Sequence, residues 1–339
     1  MKSKTSIIEV ARLAGVSKST VSRVITESGG SVSRRAQEKV AAAIKELGYT
    51  RNTLAAGLRA QKTWMVLVMV PDIANPYWSE IARAAQDRLE AEGNSVVVGN
   101  TDWVKSREDR YFELAKSGRF DGMVINSVTD DIEAINDMGI PVVMVGERAE
   151  SQDIDTVGTD TMAATRMALE HLWARGNRRI AIATSDHGGE RFLSLRRRAY
   201  DDFMKDMGVP ADSSLAFSVK LSEEGGRELV RSLLALDGWR DRIDAVFCGN
   251  DILAIAAINA LRDAGIVAGK DLSLVGMDDI PAAAHTFPAL TTVRKPRALI
   301  GAAAAELLLA RIRDPERPPE RRLFPGELMV RGSVTERHI

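Results

Sequence analysis

A basic and polar segment near the start of the chain holds the first residues whose types and spacing could do chemistry. Residues 17–23, SKSTVSR, place Lys18, Ser19, Ser22 and Arg23 on one side of a predicted helix, opposite Val21. Short hydroxyl groups and basic side chains at this spacing can reach DNA phosphates and base edges. Any solvated helix can carry similar residues, so the elements around the segment decide between the two interpretations.

Those elements are two short helices joined by a tight turn. Ser6 and Glu9 have the spacing of a capping box, Gly15 permits the turn, and Ser17 is a second N-cap. A third helix is predicted to begin after Ser33, whose side chain is expected to cap it. The side chains predicted to face inward are Ile7, Val10, Ala11, Ala14, Val21, Val24, Ile25, Val40, Ala43, Ile44 and Leu47. Two small helices, the second basic and polar on its outer side, describe a helix-turn-helix.

The charge is distributed unevenly along the 339 residues, although the formal net charge is only −1. Residues 1–62 carry twelve Lys and Arg against four Glu, a net of +8, so the remainder carries −9. A basic head on an acidic body indicates a nucleic-acid-binding module attached to a different kind of domain. Cys248, the single cysteine, falls in an apolar run and is expected to be buried. No signal peptide or membrane-spanning run is visible, so a cytoplasmic protein is expected.

Residues typical of enzymes are not arranged in any familiar catalytic pattern. The four histidines are scattered without ligand spacing, and no phosphate-binding loop, zinc-protease or nucleophile-elbow motif occurs. Asp278 and Asp279 are adjacent, so at the end of a strand they should point in opposite directions. We therefore expect neither catalysis nor a cofactor or metal.

From Trp64 onward, apolar runs alternate with helical patterns. The runs are WMVLVMV, SVVVGN, DGMVIN, PVVMVG, RRIAIAT, AVFCGN and LSLVGM. Strands that are apolar throughout are typical of parallel sheets buried on both faces. The alternation predicts a doubly wound α/β fold, with room for two halves divided near residues 161–165.

The segment A-x-x-A-G-V-S-x-x-T-V-S-R resembles the DNA-binding head of the lactose-repressor (LacI/GalR) family of bacterial transcription regulators, and the similarity continues through most of the chain. The resemblance implies an all-α helix-turn-helix head and an α/β body of the type 1 periplasmic-binding-protein kind. It implies a head at residues 1–51, a hinge at 52–63, a first body subdomain at 64–163 with 292–322, and a second at 164–291 with 323–339. It further implies a homodimer that binds a pseudo-palindromic operator and responds to a small effector.

The same resemblance identifies candidate contacts in the head and hinge. The expected DNA contacts are Ser6, Ser17, Lys18, Ser19, Thr20, Ser22, Arg23, Asn52, Ala55 and Leu58. The hinge is too short to be a stable lone helix. In the family, Leu58 corresponds to a leucine that wedges into the minor groove when the hinge becomes helical on DNA.

Candidate effector contacts follow from the strand ends, where ligands bind in open α/β sheets, and from family motifs. In the first half they are Asp72, Asn75, Tyr77, Trp78, Asn100 and Asp160. In the second half they are Phe192, Arg196, Asn250 and Asp278. Arg196 is placed by a helix that resembles the family's arginine-bearing helix, although Ala199 stands where the family has glycine.

Several alternatives stay open at the level of sequence. Asn250 and Asp160 could serve as helix N-caps, and Tyr77 and Trp78 could belong to the core or to a dimer interface. The effector is expected to be sugar-like, with a purine or other metabolite as the alternative. A solute-binding protein is the competing function, although the basic head counts against it, and a sugar-active enzyme is the third.

Overall fold

The computed structural model describes residues 5–25, 32–49, 62–128, 132–146, 153–185, 194–209 and 212–337. The chain forms two compact units, Met1–Thr63 and Trp64–Ile339. The described part of the first unit contains the helices α1 (Ile7–Ala14), α2 (Lys18–Ile25) and α3 (Arg34–Leu47).

The head has the predicted helices and the predicted core. Val10, Val21 and Val40 are fully buried at its centre, with the other predicted apolar residues and Tyr49 packed around them. Gly15 and Gly48 end α1 and α3 in the left-handed conformation, at φ +65° and +59°, which explains glycine at both places. Ser33 differs from the prediction, because it stands at the N-cap of α3 but its side chain makes no capping hydrogen bond.

The body is an array of alternating strands and helices. Its elements up to residue 174 are β1 (Met65–Val70), α4 (Pro76–Glu90), β2 (Ser95–Asn100), α5 (Lys105–Lys116), β3 (Gly122–Ile125), α6 (Ile132–Asn136), β4 (Val142–Val145), β5 (Asp155–Thr159) and α7 (Thr161–Ala174). The array continues with β6 (Ile180–Thr184), α8 (Leu195–Asp206), β7 (Ala216–Ser218), α9 (Glu223–Leu234), α10 (Trp239–Arg242), β8 (Ala245–Cys248), α11 (Asp251–Asp263), β9 (Ser273–Asp278), β10 (Thr291–Arg294), α12 (Arg297–Arg313), β11 (Arg321–Phe324) and β12 (Glu327–Met329).

Among the described residues these strands form two six-stranded sheets of matching order. The first runs β2-β1-β3-β4-β5-β11 and is parallel throughout. The second runs β7-β6-β8-β9-β10-β12, and its last strand is antiparallel to β10. In each sheet the strand order reverses at the first strand of that half, which is where doubly wound folds bind ligands.

Each sheet is covered by helices on both faces, as the continuous apolar runs predict. Alternate residues of β1 enter different cores: Val66 and Val68 pack with α4 and α12, whereas Leu67 and Met69 pack with α5. One apolar run differs from the prediction. Val97 and Val98 of β2 are 36% and 40% exposed, because β2 is an edge strand whose outer side the described residues leave uncovered.

The chain passes between the halves at points that differ from the expected boundaries. Strand β10 pairs with β9 in the second sheet, so the return to the first half comes at residues 295–296 rather than 292. Strand β11 pairs with β5 in the first sheet, so the last crossing lies at 325–326 rather than 323. The physical reason is that residues 291–294 and 321–324 satisfy their backbone groups by pairing, and only the residues beyond them can change sheets.

Two expectations about the rest of the body can also be compared with the structure. Cys248 is fully buried, as predicted, and burial raises the pKa of its thiol well above the usual value. In the described part of the chain, no helix is both long enough and apolar enough to cross a membrane.

Candidate DNA-binding face and ligand cleft

The first helix of the head is held by the capping box that its sequence predicts. The Ser6 amide donates to the Glu9 carboxylate at 2.6 Å, and the Glu9 amide donates to the Ser6 hydroxyl at 3.3 Å. The backbone hydrogen bond from Ser6, then that from its hydroxyl, lowers the pKa of Glu9. Ser6 therefore has a structural role at the entry of α1, whether or not it also reaches DNA.

The second helix presents the polar face on which the DNA prediction rests. The Thr20 amide donates to the Ser17 hydroxyl at 3.1 Å, which caps the helix, and the hydroxyls of Ser17 and Thr20 are 2.8 Å apart. Lys18, Ser19 and Arg23 are exposed beside this cap. Ser22 is partly buried. Fixing α2 by its cap and by buried Val21 orients the outer side chains as one surface.

Four sequence-predicted contacts lie outside the described residues. They are Asn52, Ala55 and Leu58 of the hinge and Phe192 of the body.

The body brings residues of both halves together around Tyr77. Tyr77 begins α4 in the first half and is buried, with 6% of its surface exposed. Burial raises the pKa of its phenol well above the usual value, and the charges of Asp278 and Arg196 act on it next. Lys295 lies with its Nζ 4.8 Å from the Tyr77 ring centroid and 3.0 Å from Asp278 Oδ1. We call Tyr77, Arg196, Asp278 and Lys295 the cleft cluster. This cluster joins the end of β9 to the start of α4.

The backbone is unusual at the end of β9, where Asp278 enters the cluster. Asp278 has φ +119° and Asp279 has φ +54°, a region that side-chain-bearing residues seldom occupy. Arg297, at the start of α12, donates from Nη1 to both of their carbonyl oxygens and from Nε to Glu80 Oε2 at 2.6 Å. Backbone strain of this kind is retained where surrounding contacts fix it, and it is common at functional sites.

The two adjacent aspartates have different surroundings, as expected from their sequence. Asp278 faces Lys295, whereas Asp279 accepts from Arg294 Nε at 2.8 Å and from Arg331 Nη2 at 2.5 Å. Burial acts to raise the pKa of Asp279, but these arginine hydrogen bonds outweigh it and the pKa is lowered. Asp279 is therefore a carboxylate paired with Arg294 and Arg331, outside the cleft cluster.

Asp251 is a buried carboxyl next to the cluster. Its Oδ1 is 2.5 Å from the Thr292 hydroxyl, and its Oδ2 accepts from the Ile280 amide at 2.9 Å. Burial, and then the charge of Asp278, raises the pKa of Asp251 well above its usual value. The group is therefore disposed to carry a proton, and it adds little negative charge to the cleft.

Most of the other predicted effector contacts have their side chains engaged in local hydrogen bonds. Asn75, Asp160 and Asn250 are N-caps of α4, α7 and α11, accepting from the amides of Tyr77, Ala163 and Leu253. Asn250 also donates to the Leu221 carbonyl at 3.2 Å. Each cap satisfies an amide that would otherwise lack a partner, so these residues shape the strand ends.

The three remaining candidates have different positions. Asp72 accepts from the Ala74 amide and stabilises the turn after β1. Asn100 accepts from the Ile73 amide and, with Arg107 and Tyr111, lines an open surface groove of about 840 Å³. Trp78 packs edge-on against Tyr77, with ring centroids 4.8 Å apart, inside the apolar core of α4 and α12. The described contacts of Asp72 and Asn100 do not join them to the cleft cluster, whereas Trp78 contacts it through the ring of Tyr77.

Lys295 and Arg297 were missed by reasoning from the sequence. Both lie in the segment VRKPRALI, where the chain crosses from β10 to α12. The sequence contains one signal of this position, because a lysine and a proline between an extended run and a helical run mark a point where the chain crosses between elements. Nothing in the local pattern, however, shows that Lys295 is only 5% exposed or that it faces Tyr77, more than two hundred residues earlier.

A helix-turn-helix head joined to a body of two doubly wound halves defines a DNA-binding protein with a periplasmic-binding-protein-like domain. Models of protein families agree: "Bacterial regulatory proteins, lacI family" matches residues 6–52, and "Periplasmic binding protein-like domain" matches residues 169–334. The chain is 32% identical over 338 residues to the HTH-type transcriptional regulator DegA of Bacillus subtilis (strain 168), covering 98% of each protein. It is 32% identical to the ribose operon repressor of Escherichia coli (strain K12), covering 96% of this chain and 98% of that one.

Solved structures show the same architecture. The lac repressor dimer bound to operator and the anti-inducer ONPF is 25% identical, with a TM-score of 0.85 over 98% of this chain and 100% of that one. A complex of the transcriptional regulator CelR with cellobiose is 28% identical, with a TM-score of 0.72 over 97% of this chain and 99% of that one. The chain therefore belongs to the lacI family of bacterial regulatory proteins.

Proposed function

We propose that this protein is a dimeric transcription repressor whose operator affinity is controlled by a small, sugar-like effector bound between the halves of the body. Family membership and the capped, basic face of α2 support the DNA-binding role. The names of similar proteins support repression, a sugar-like effector and a dimer. One relative is a ribose operon repressor, one solved structure is a regulator in complex with cellobiose, and another is a repressor dimer bound to its operator. Regulation of chromosomal genes implies a cytoplasmic location.

In this proposal, the head reads base edges through Lys18, Ser19 and Arg23. Ser22 and the hinge residues Asn52, Ala55 and Leu58 add contacts, while Ser6, Ser17 and Thr20 fix the helix ends. A dimer would place two heads on half-sites related by symmetry, which is why a pseudo-palindromic operator follows. No role in catalysis is proposed.

The single observation that carries the effector role is the cleft cluster. Tyr77 and Lys295 stand at the border of the first half, and Arg196 and Asp278 belong to the second, so a ligand that contacts all four changes the relation between the halves. A ligand shifts an equilibrium only by its differential affinity for two states, and contacts from both halves provide such a difference.

Fluorescence anisotropy with labelled genomic fragments, in the presence of a panel of sugars and sugar derivatives, tests this function. We expect sequence-specific binding that at least one compound of the panel weakens or strengthens. Arg196→Ala should keep operator affinity and lose the ligand response, because the head has its own core. Specific DNA binding that no compound affects, or a normal response in the Arg196 variant, would contradict the effector role.

A further inference from the structure

Lys295 is a buried ammonium group with unusual surroundings for a lysine. Only 5% of its side chain is exposed, and its described contacts are the Asp278 carboxylate and the face of the Tyr77 ring. Burial lowers the pKa of Lys295, and the attraction of Asp278 partly opposes this shift. A lysine at such a position loses most of its hydration, and one carboxylate with one ring compensates only part of that loss.

Arg196 adds a second cation to the same place. Its Nε is buried and has no hydrogen-bond partner, and Arg196 forms no ion pair within the described part of the chain. Burial lowers the pKa of Arg196, whereas the charge of Asp278 raises it. Since guanidinium groups stay protonated in proteins, Arg196 and Lys295 bring two positive charges to one carboxylate.

The other acidic groups near the cluster do not neutralise the second positive charge. Asp251 is engaged by the Ile280 amide and the Thr292 hydroxyl rather than by either cation. Asp279 is held by Arg294 and Arg331, and Glu80 by Arg297. Among the described residues, the cleft cluster therefore carries an excess of one positive charge.

We propose that the effector is an anion, a polyhydroxylated compound bearing a carboxylate or a phosphate, and that Arg196 and Lys295 bind its charged group. The inference rests on the cleft being the effector site and names the chemical class of the ligand. A guanidinium and an ammonium together suit an oxyanion, because the planar fork of Arg196 matches two oxygens and Lys295 adds a third donor. Asp278 and Tyr77 remain available for ligand hydroxyls.

Matched pairs of compounds test the charge preference directly. Isothermal titration of the full-length protein would compare gluconate with glucitol and glucuronate with glucose, pairs that differ at one carbon. Glucose 6-phosphate against glucose tests whether the anion is a phosphate instead. We expect at least one anion to bind at least about tenfold more tightly than its neutral partner, as one charged hydrogen bond supplies. If no anion exceeds its neutral partner, the proposal is overturned.

Variants at two neighbouring positions show whether Lys295 is responsible. Lys295→Gln should weaken binding of the preferred anion by about tenfold or more, with little effect on binding of a neutral compound. Lys295→Arg should restore much of the lost affinity. Arg294→Gln is the matched control, because Arg294 precedes Lys295 but pairs with Asp279 and Glu327. An equal loss in the Arg294 variant, or an unchanged anion preference in the Lys295→Gln variant, would overturn the proposal.

The protein without ligand provides an independent measurement. If two cations share Asp278, then Lys295→Gln leaves Arg196 with a partner, whereas Asp278→Asn leaves both cations without one. The Asn variant should therefore lower the thermal midpoint more than the Gln variant does. Equal losses would indicate a simple Lys295–Asp278 pair and would contradict the excess charge.

Operator binding separates this inference from the proposed function. An anion that binds through Lys295 without changing operator affinity would leave the inference standing and refute effector control. A neutral sugar that releases the operator, with no anion doing so, would preserve effector control and refute the inference.

Discussion

At the scale of the residue, Asp251 makes stability depend on pH. Because folding raises its pKa, the group contributes stability that is complete below its unfolded pKa of about 4 and is lost as pH rises through its folded pKa. Asp251→Asn removes this dependence and can keep both hydrogen bonds, its oxygen accepting from Ile280 and its amide donating to Thr292. We expect urea unfolding to show the variant gaining stability relative to the wild type from pH 5 to pH 8.

Asp279→Asn is the matched control, with the opposite sign. The pKa of Asp279 is lowered on folding, so its contribution is present above about pH 4 and is lost as pH falls through the folded pKa. The variant should be less stable than the wild type by a constant amount from pH 8 down to about pH 4, and the deficit should shrink only as pH falls below about 4. If both variants show the same trend with pH, the proton assigned to Asp251 is wrong.

Lys18 is the residue at which sequence preference can be tested. It is exposed at the start of α2, the end of a recognition helix that enters the groove. Replacing a side chain that reads a base edge changes discrimination by about 1–3 kcal/mol. Lys18→Gln should therefore change the preferred base at one half-site position, as measured by selection from randomised operators, while affinity for unrelated DNA falls little.

Arg12 offers the comparison for Lys18, because it is basic and exposed but lies on α1. Arg12→Gln should weaken binding to all sequences alike, as expected for a phosphate contact. A uniform loss in the Lys18 variant would place Lys18 in that class as well.

At the scale of the element, the packing of α12 against α4 depends on Gly301. A Cβ built on Gly301 would lie 2.3 Å from the Ile81 carbonyl oxygen and 2.8 Å from the Ala84 Cβ. Helix propensity alone would favour Gly301→Ala by about 1 kcal/mol. We expect the steric clash to outweigh this gain, because a rigid helix backbone has to move, so the variant should have a lower thermal midpoint than the wild type.

The neighbouring residue separates propensity from packing. Ala302 is partly buried on the same helix, so Ala302→Gly should cost about 1 kcal/mol through propensity alone. A higher midpoint for the Gly301 variant, with the expected loss in the Ala302 variant, would mean that the two helices separate easily.

At the scale of the whole molecule, the separation of charge should govern how DNA binding responds to salt. Residues 1–62 carry a net charge of +8 and the rest of the chain −9, so the attraction to phosphates belongs to the head and hinge. Each neutralised phosphate contributes a slope of about −0.9 to the plot of log affinity against log salt concentration. Anisotropy titrations should give a steep negative slope for both operator and unrelated DNA.

Substitutions in the two parts of the chain should affect that slope differently. Arg12→Gln should make the slope shallower, by up to about one unit for each phosphate that a head no longer neutralises, whereas Lys18→Gln should change the slope little, as expected for a base contact. Arg196→Ala should leave the slope unchanged, because the cleft cluster belongs to the body. A shallow slope in the wild type would show that phosphate contacts contribute little.

Much of the architecture was determined by the sequence itself. The head follows from spacing within single helices: the Ser6–Glu9 box, the buried Val10 and Val21, and the left-handed Gly15. The seven apolar runs became strands, and all of them except the edge strand β2 are buried between helices. These signals are local, so they need no knowledge of distant parts of the chain.

Only the tertiary structure decided the contents of the cleft. Lys295 approaches Tyr77, and Arg297 approaches Glu80, because the chain returns from the second half to the first between β10 and α12. Val97 and Val98 are exposed because β2 is an edge strand, and Asp251 has a raised pKa because Asp278 and a buried environment surround it. Each of these facts depends on contacts or strand positions far apart in sequence, which no local spacing or hydrophobic pattern encodes.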